Sequence, residues 1–289
     1  MRLPGLVERA LHQEDVNFFL TNQIPRRLLT RFMGWFSRIE RPLIRDLSIA
    51  TFALFAGDLQ LREAEKTAFA SLHDCFVRKL KDGARPLDQR PRILVSPCDG
   101  IVGAFGALEG TEMLQAKGSR YSLEDLLGGR QSVERYRGGS YVTLRLTANM
   151  YHRFHAPCDC RVGEATNISG DTWNVNPVTL QRITRLYCKN ERVAIHADID
   201  GTGGAVALVA VAAILVASVH LSFVDGPLNL AYRGPNHIAC GRSFRKGDEL
   251  GYIHHCSTII VIGGNHLEVC EHVRSGDIIR MGDPLLRMR

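Results

Sequence analysis

From Ile93 onward the sequence is a succession of short apolar runs: ILVSPCDGIVGAFG, YVTLRLT, RVAIHADI, VALVAVA, ILVASVHLSF and STIIVIGG, punctuated by Gly, Asp and Pro. Val- and Ile-rich runs of that length, closed by turn residues, predict β-strands in a largely antiparallel body. The chain before Pro86 reads differently. Leu28 to Arg41 and Leu59 to Lys81 carry helical periodicity, and Pro42 interrupts between them. The expected class is therefore α+β, with a helical region over residues 1–83 and a β-rich domain over 84–289. Shorter helices are expected within the β body at Ser122 to Leu127 and Val178 to Leu186. At 289 residues and 45% hydrophobic content, one large domain with a helical extension and a packed core accounts for the whole chain.

One apolar stretch invites a different reading. Gly203 to Val219, GGAVALVAVAAILVASV, reaches the lower limit for spanning a bilayer. It is rich in Val and Ala, opens on a glycine turn and runs on into Ser218, His220 and Ser222, so two buried strands bent near Ala212-Ala213 explain it better. The first residues, MRLPGLVERALHQED, lack the apolar core of a secretory signal. The eight cysteines are scattered without a CxxC pair, so free thiols are expected rather than a disulfide framework.

A formal charge of +6 favours an anionic partner. No RNP-like, zinc-finger or helix-turn-helix pattern accompanies it, so nucleic acid is not expected. Much of the excess lies early, with Arg26, Arg27, Arg31, Arg38, Arg41 and Arg45 spread among apolar residues. Ile24 to Ile39 could rest in a headgroup layer with its arginines on anionic lipid. It could equally cover the protein's own core, and periodicity does not separate the two.

Three local clusters carry side chains capable of chemistry. Ser96-Pro97-Cys98-Asp99-Gly100 places Asp99 in a tight turn, a common structural device. Tyr151-His152-Arg153-Phe154-His155-Ala156-Pro157 sets two histidines three apart, a spacing that could also serve a metal pair, although no third ligand stands at diagnostic spacing and no metal is assigned. His254-His255-Cys256-Ser257-Thr258 precedes the strand Ile259-Ile260-Val261-Ile262. Asp, His and Ser are the material of a relay that activates a hydroxyl, but composition alone does not establish one. A weak echo also recurs: Lys246-Gly247-Asp248, Ser275-Gly276-Asp277 and Met281-Gly282-Asp283 each place a Gly-Asp turn before or beside an apolar segment. Such turns resemble those of barrel-sandwich folds; the lysine hairpin of a biotinyl or lipoyl carrier is missing, so the echo speaks to fold rather than function.

Taken in order, these motifs resemble the phosphatidylserine decarboxylases, a family of pyruvoyl-dependent phospholipid decarboxylases. The resemblance runs through Phe76-Val77-Arg78-Lys79-Leu80, Ala84-Arg85-Pro86, the Asp99 turn, Gln115-Ala116-Lys117-Gly118 and Tyr121-Ser122-Leu123. It continues through the His152/His155 motif, Asn174-Val175-Asn176-Pro177, Asn190-Glu191-Arg192, Lys246 to Tyr252 and Cys256-Ser257-Thr258. The stretch through Arg41 also resembles the family's membrane-contacting helices, which favours the lipid reading of that segment.

The resemblance implies a zymogen that cuts itself between residues 256 and 257. The Ser257 oxygen would attack the preceding carbonyl to form an ester; β-elimination would release the upstream chain and leave dehydroalanine, whose hydrolysis would give a pyruvoyl group and ammonia, with 33 residues downstream. It implies Ser257 as nucleophile, His155 as general base, Asp99 as its orienter and His152 near the substrate as proton donor or carboxylate contact. The substrate implied is phosphatidylserine, the product phosphatidylethanolamine, and the location the cytoplasmic side of a membrane, held peripherally on an anionic surface. A homodimer stays open. The chain departs from the family at Cys256, where a glycine is usual. Glycine tolerates the strained backbone of an acyl shift. Cleavage could therefore proceed, proceed slowly, or fail, and the last outcome leaves an uncleaved, inactive lipid-binding form as the alternative.

Overall fold

The computed structural model describes residues 25–114, 120–129, 133–214, 218–253 and 257–289. Six α-helices occur among them: α1 (Arg26–Phe36), α2 (Pro42–Ala56), α3 (Leu72–Phe76), α4 (Leu123–Leu127), α5 (Pro177–Arg182) and α6 (Leu186–Lys189). The strands begin with β1 (Ile93–Val95), β2 (Gly100–Ala107), β3 (Glu112–Leu114), β4 (Arg120–Ser122), β5 (Ser140–Leu146) and β6 (Arg153–His155). They continue with β7 (Cys160–Ile168), β8 (Arg192–Ile199), β9 (Ala205–Val211), β10 (Ser218–Leu221), β11 (Leu228–Asn229) and β12 (His237–Phe244). The last are β13 (Glu249–Ile253), β14 (Ser257–Gly263), β15 (Leu267–Val269), β16 (Ile278–Ile279) and β17 (Pro284–Met288).

An eight-stranded antiparallel sheet, ordered β12-β7-β8-β9-β14-β5-β2-β16, forms the frame. One face packs against the four-stranded sheet β11-β10-β13-β6 and the three-stranded sheet β1-β17-β15, giving a sandwich without a closed barrel. The other face lies under α4, α6 and the buried rings of Tyr121 and Tyr136. Strand β14 sits between β9 and β5 and is buried at every position. Ile259 and Val261 enter the first core, Ile260 and Ile262 the second. Because both faces are covered, Ile259 to Ile262 run apolar without alternation. The long apolar stretch ends as expected: Ala205–Val211 and Ser218–Leu221 are separate strands in different sheets. No helix among the described residues is long and apolar enough to cross a membrane. The seven described cysteines are free thiols.

The helical region differs from its periodicity. Pro42 opens α2 at its first turn, where the missing N–H is harmless. Leu59 to Lys81 is not one helix. Glu65 N donates to Lys79 O and Lys81 N to Glu63 O, both at 2.9 Å, so the two ends of that stretch pair as extended chain. Only Leu72–Phe76 is α-helical, capped by the Ser71 hydroxyl, which accepts from Asp74 N. Tertiary pairing has overridden a helical pattern here.

Helix α1 turns large apolar side chains outward. Thr30 and Ser37 are buried, whereas Leu28, Phe32 and Trp35 are exposed, Trp35 by 64%. Arg26 docks the helix, bridging to Asp171 at 2.6 Å and lying 3.7 Å over the Trp173 ring. On α2, Leu43, Ile44, Leu47, Leu54 and Phe55 are also exposed. Of the large apolar side chains exposed among the described residues, Ile278 alone lies outside these two helices. Apolar surface concentrated in this way marks an interaction face.

Candidate active site

Backbone hydrogen bonds bring two of the three motif clusters together. His155 N donates to Pro97 O at 2.8 Å, and Val95 N to Pro157 O at 2.9 Å, joining the Asp99 turn to the histidine strand. Ala156 N donates to Asp248 O and Gly247 N to Ala156 O, each at 2.9 Å, adding the Gly247-Asp248 turn. Ile253 N donates to His152 O at 3.0 Å. Four residues further on is Ser257, where β14 begins opposite Leu146 of β5.

Ser257 is fully buried, and its Oγ has no hydrogen-bond partner among the described residues. A buried hydroxyl left unbonded costs free energy, about 1–3 kcal/mol, so such groups in native structures point to a functional demand. Cys256, His254 and His255 lie outside the described residues, as does Gln115 to Gly118.

His155 is held by two bonds. Its Nδ1 lies 2.8 Å from Gly247 O and its Nε2 2.9 Å from the Tyr151 hydroxyl. A carbonyl only accepts, so Nδ1 carries the proton of the neutral ring and Nε2 bears the lone pair, accepting from Tyr151. Burial pushes the His155 pKa down, with the Gly247 bond opposing. The imidazole is therefore neutral at ordinary pH, as a base must be.

Asp99 does not hydrogen-bond His155. Its carboxylate takes a forked bridge from Arg85, whose Nη2 is 2.6 Å from Oδ2 and Nε 2.9 Å from Oδ1, and it accepts from Met281 N at 2.9 Å. The side chains are 2% and 6% exposed, and Arg85 also reaches Glu63 at 2.7 Å. Burial works against the Arg85 charge, but the Asp99 and Glu63 carboxylates outweigh it and push its pKa up. His152 is buried beneath Phe76, the ring centroids 4.1 Å apart, with Nδ1 2.8 Å from Met150 O. Arg78 holds the adjoining turn, donating to the carbonyls of Leu59 at 2.8 Å and Asn149 at 3.1 Å.

Arg85, Tyr151, Gly247 and Met281 were not singled out as site residues by sequence reasoning. The signal for two of them was the Gly-Asp echo. Arg245–Asp248, Arg274–Asp277 and Arg280–Asp283 are the same turn three times: the Asp N–H donates to the Arg carbonyl, and Gly247, Gly276 and Gly282 take φ of 89°, 93° and 95°. That left-handed backbone requires glycine. The first turn presents Gly247 O to His155, the third presents Met281 N to Asp99. Other motif residues prove architectural. Asn176 caps α5, its Oδ1 accepting from Thr179 N at 2.8 Å, and Asn190 bridges Trp173 and Ala212. Arg192 binds the carbonyls of Leu126, Cys188 and Asn190 and that of Asp125. No three His, Cys, Asp or Glu among the described residues are grouped to hold a metal ion.

The buried histidines give a pH prediction. His155 and His196 are depressed by burial, and His73 is depressed to about 4 by burial and then by Arg38. As pH falls below about 6.5 the unfolded chain takes up protons that the folded one refuses, so this stability is full above that pH and is lost as pH falls through the folded pKa values. Urea midpoints should drop between pH 7.5 and 5. Equal midpoints would contradict the assignment of neutral buried imidazoles.

A sequence profile for phosphatidylserine decarboxylase matches residues 72–287. The chain is 31% identical over 275 residues to the phosphatidylserine decarboxylase proenzyme of Haemophilus influenzae, covering 91% of this chain and 92% of that one. It is 33% identical over 284 residues to the proenzyme of Sodalis glossinidius, covering 94% and 95%. With that of Saccharophagus degradans it shares 31% identity over 290 residues, covering 96% and 99%. The chain belongs to the phosphatidylserine decarboxylase family.

Proposed function

We propose that this chain is a proenzyme that cleaves itself between residues 256 and 257, forms a pyruvoyl group from Ser257 and decarboxylates phosphatidylserine to phosphatidylethanolamine. The observation that carries this is the buried Ser257 Oγ, uncommitted to any hydrogen bond at the head of the central strand. A hydroxyl whose oxygen must attack the carbonyl before it, and then depart with the upstream carboxylate on β-elimination, has to be free in this way. His155 acts as base through Nε2, the nitrogen left basic because Gly247 O accepts the Nδ1–H hydrogen bond. Tyr151 must release that lone pair or relay the proton to it. Asp99 is a positioning residue: its charge favours the protonated imidazole from nearby, while the ring's orientation is set by Gly247. A pyruvoyl group supplies an electrophilic carbonyl that draws off the electrons released with carbon dioxide. His152, beneath Phe76, delivers the proton that replaces the lost carboxylate or contacts that carboxylate first.

The exposed apolar faces of α1 and α2, with their arginines, fit peripheral seating on an anionic membrane at its cytoplasmic side. Residues 1–83 form the membrane-contacting region and 84–289 the catalytic domain. Denaturing mass spectrometry of the purified chain tests the proposal. Two fragments are expected, the smaller spanning residues 257–289 and blocked to Edman chemistry. A single intact chain of 32.2 kDa would overturn the proposal.

A further inference from the structure

Helix α1 and the β10–β11 hairpin enclose a trough in two continuous parts, of about 360 and 570 Å³, with Arg31, Asn229 and Leu230 lining both. Arg31 on α1 and Arg38 in the turn just after it both line the first part, with Gly34 between them in the chain. Their situation differs from that of Arg26. Arg26 is spent on Asp171 and Trp173 in docking the helix. Arg38 makes one described bond, from Nη1 to Gly34 O, and neither it nor Arg31 is in an ion pair among the described residues. No carboxylate lines this part of the trough. Unneutralised guanidinium groups facing one cleft suit a phosphate or carboxylate, whose oxygens they can bind in pairs.

A second observation lies on the opposite wall. Ser218 is 4% exposed, and its Oγ has no hydrogen-bond partner while lining the same trough. Ser218 opens β10, whose next residue, Val219, pairs with Ile253 of β13. From Ile253 the chain spans at most about 14 Å to Ser257. Ser218 thus stands on the strand that pairs with β13, the strand preceding Ser257 in the chain. On its outer side stand Trp35 and Leu28, exposed apolar side chains that line it and belong to the face turned away from the body. A ligand that joins a phosphate to acyl chains could keep its tails among those side chains while its phosphate meets the arginines.

We propose that this trough is the binding site for the phosphodiester of the lipid substrate, with Arg31 and Arg38 as its cationic contacts and Ser218 as hydroxyl donor. The assignment of that phosphodiester to a substrate rests on the decarboxylase reading; the binding site itself does not. The test uses the full chain and its Arg31→Gln/Arg38→Gln variant, with Ser218→Ala as a second change. The soluble probe sn-glycero-3-phosphoethanolamine carries the phosphodiester without acyl chains. The double variant should bind it about tenfold more weakly or worse, and Arg31→Lys/Arg38→Lys should recover part of the loss. With monomeric short-chain phosphatidylserine, KM should rise by a similar factor while kcat stays within about threefold and the fraction self-cleaved is unchanged. Unchanged probe affinity, with loss of binding only to phosphatidylglycerol vesicles, would overturn the site and make the arginines membrane contacts alone. Inorganic phosphate binding as tightly as the probe would overturn it in favour of a general anion site. If the wild-type chain binds the probe through these residues but releases no carbon dioxide, the decarboxylase reading fails and the binding site stands.

Discussion

Ser257→Ala is expected to leave a single uncut chain of 32.2 kDa with no measurable decarboxylation, against two fragments for the parent. The change removes one oxygen that has no hydrogen-bond partner among the described residues, so the folded chain loses no bond and sheds the cost of burying it, and the thermal midpoint should hold or rise. A large loss of function without loss of stability is the signature of a group kept for chemistry. Cleavage of the alanine variant at the same bond would rule out Ser257 as the nucleophile. The companion change, Cys256→Gly, restores the residue usual in the family at the bond to be cut. It should raise the cleavage rate, because glycine reaches strained backbone conformations that a residue with a side chain resists. Time courses of fragment appearance after synthesis measure this directly.

Asp99→Ala should destabilise the chain by about 3–5 kcal/mol, because it strands the Arg85 guanidinium, a buried charge, beside Glu63 alone. It also frees Met281 N from its acceptor. The double variant Arg85→Met/Asp99→Leu removes both charges and should recover most of that loss. Self-cleavage separates the two roles of Asp99. If the carboxylate supports His155, the double variant folds but cleaves slowly; if Asp99 only pairs with Arg85, cleavage returns with stability. Denaturant midpoints and fragment yields on the same preparations distinguish the two.

Much of the fold was legible in the sequence because the physics behind it is local. The strands from Ile93 onward announce themselves by β-branched runs and turn residues, and α4 and α5 begin where Ser122 and Asn176 supply caps. The α+β order and the split of the Gly203 to Val219 stretch followed from the same rules. The helical pattern over Leu59 to Lys81 misled, because Glu63 to Glu65 and Lys79 to Lys81 found each other as extended chain, a non-local contact that periodicity cannot register. The face of α1 was undecidable for a related reason. Only docking shows that Thr30 and Ser37 turn inward and Trp35 outward.

By itself, the sequence determined the family, the candidate residues Asp99, His152, His155 and Ser257, and the departure at Cys256, since residue types in a fixed order are a property of the chain alone. What the tertiary structure decided is who holds whom. His155 is oriented by Gly247 and Tyr151 rather than by Asp99, and Asp99 is locked by Arg85 and Met281. These partners stand from 4 to 182 residues away in the chain. Hydrogen bonds depend on distances and angles between atoms, and only the packing of two sheets across a shared core sets those.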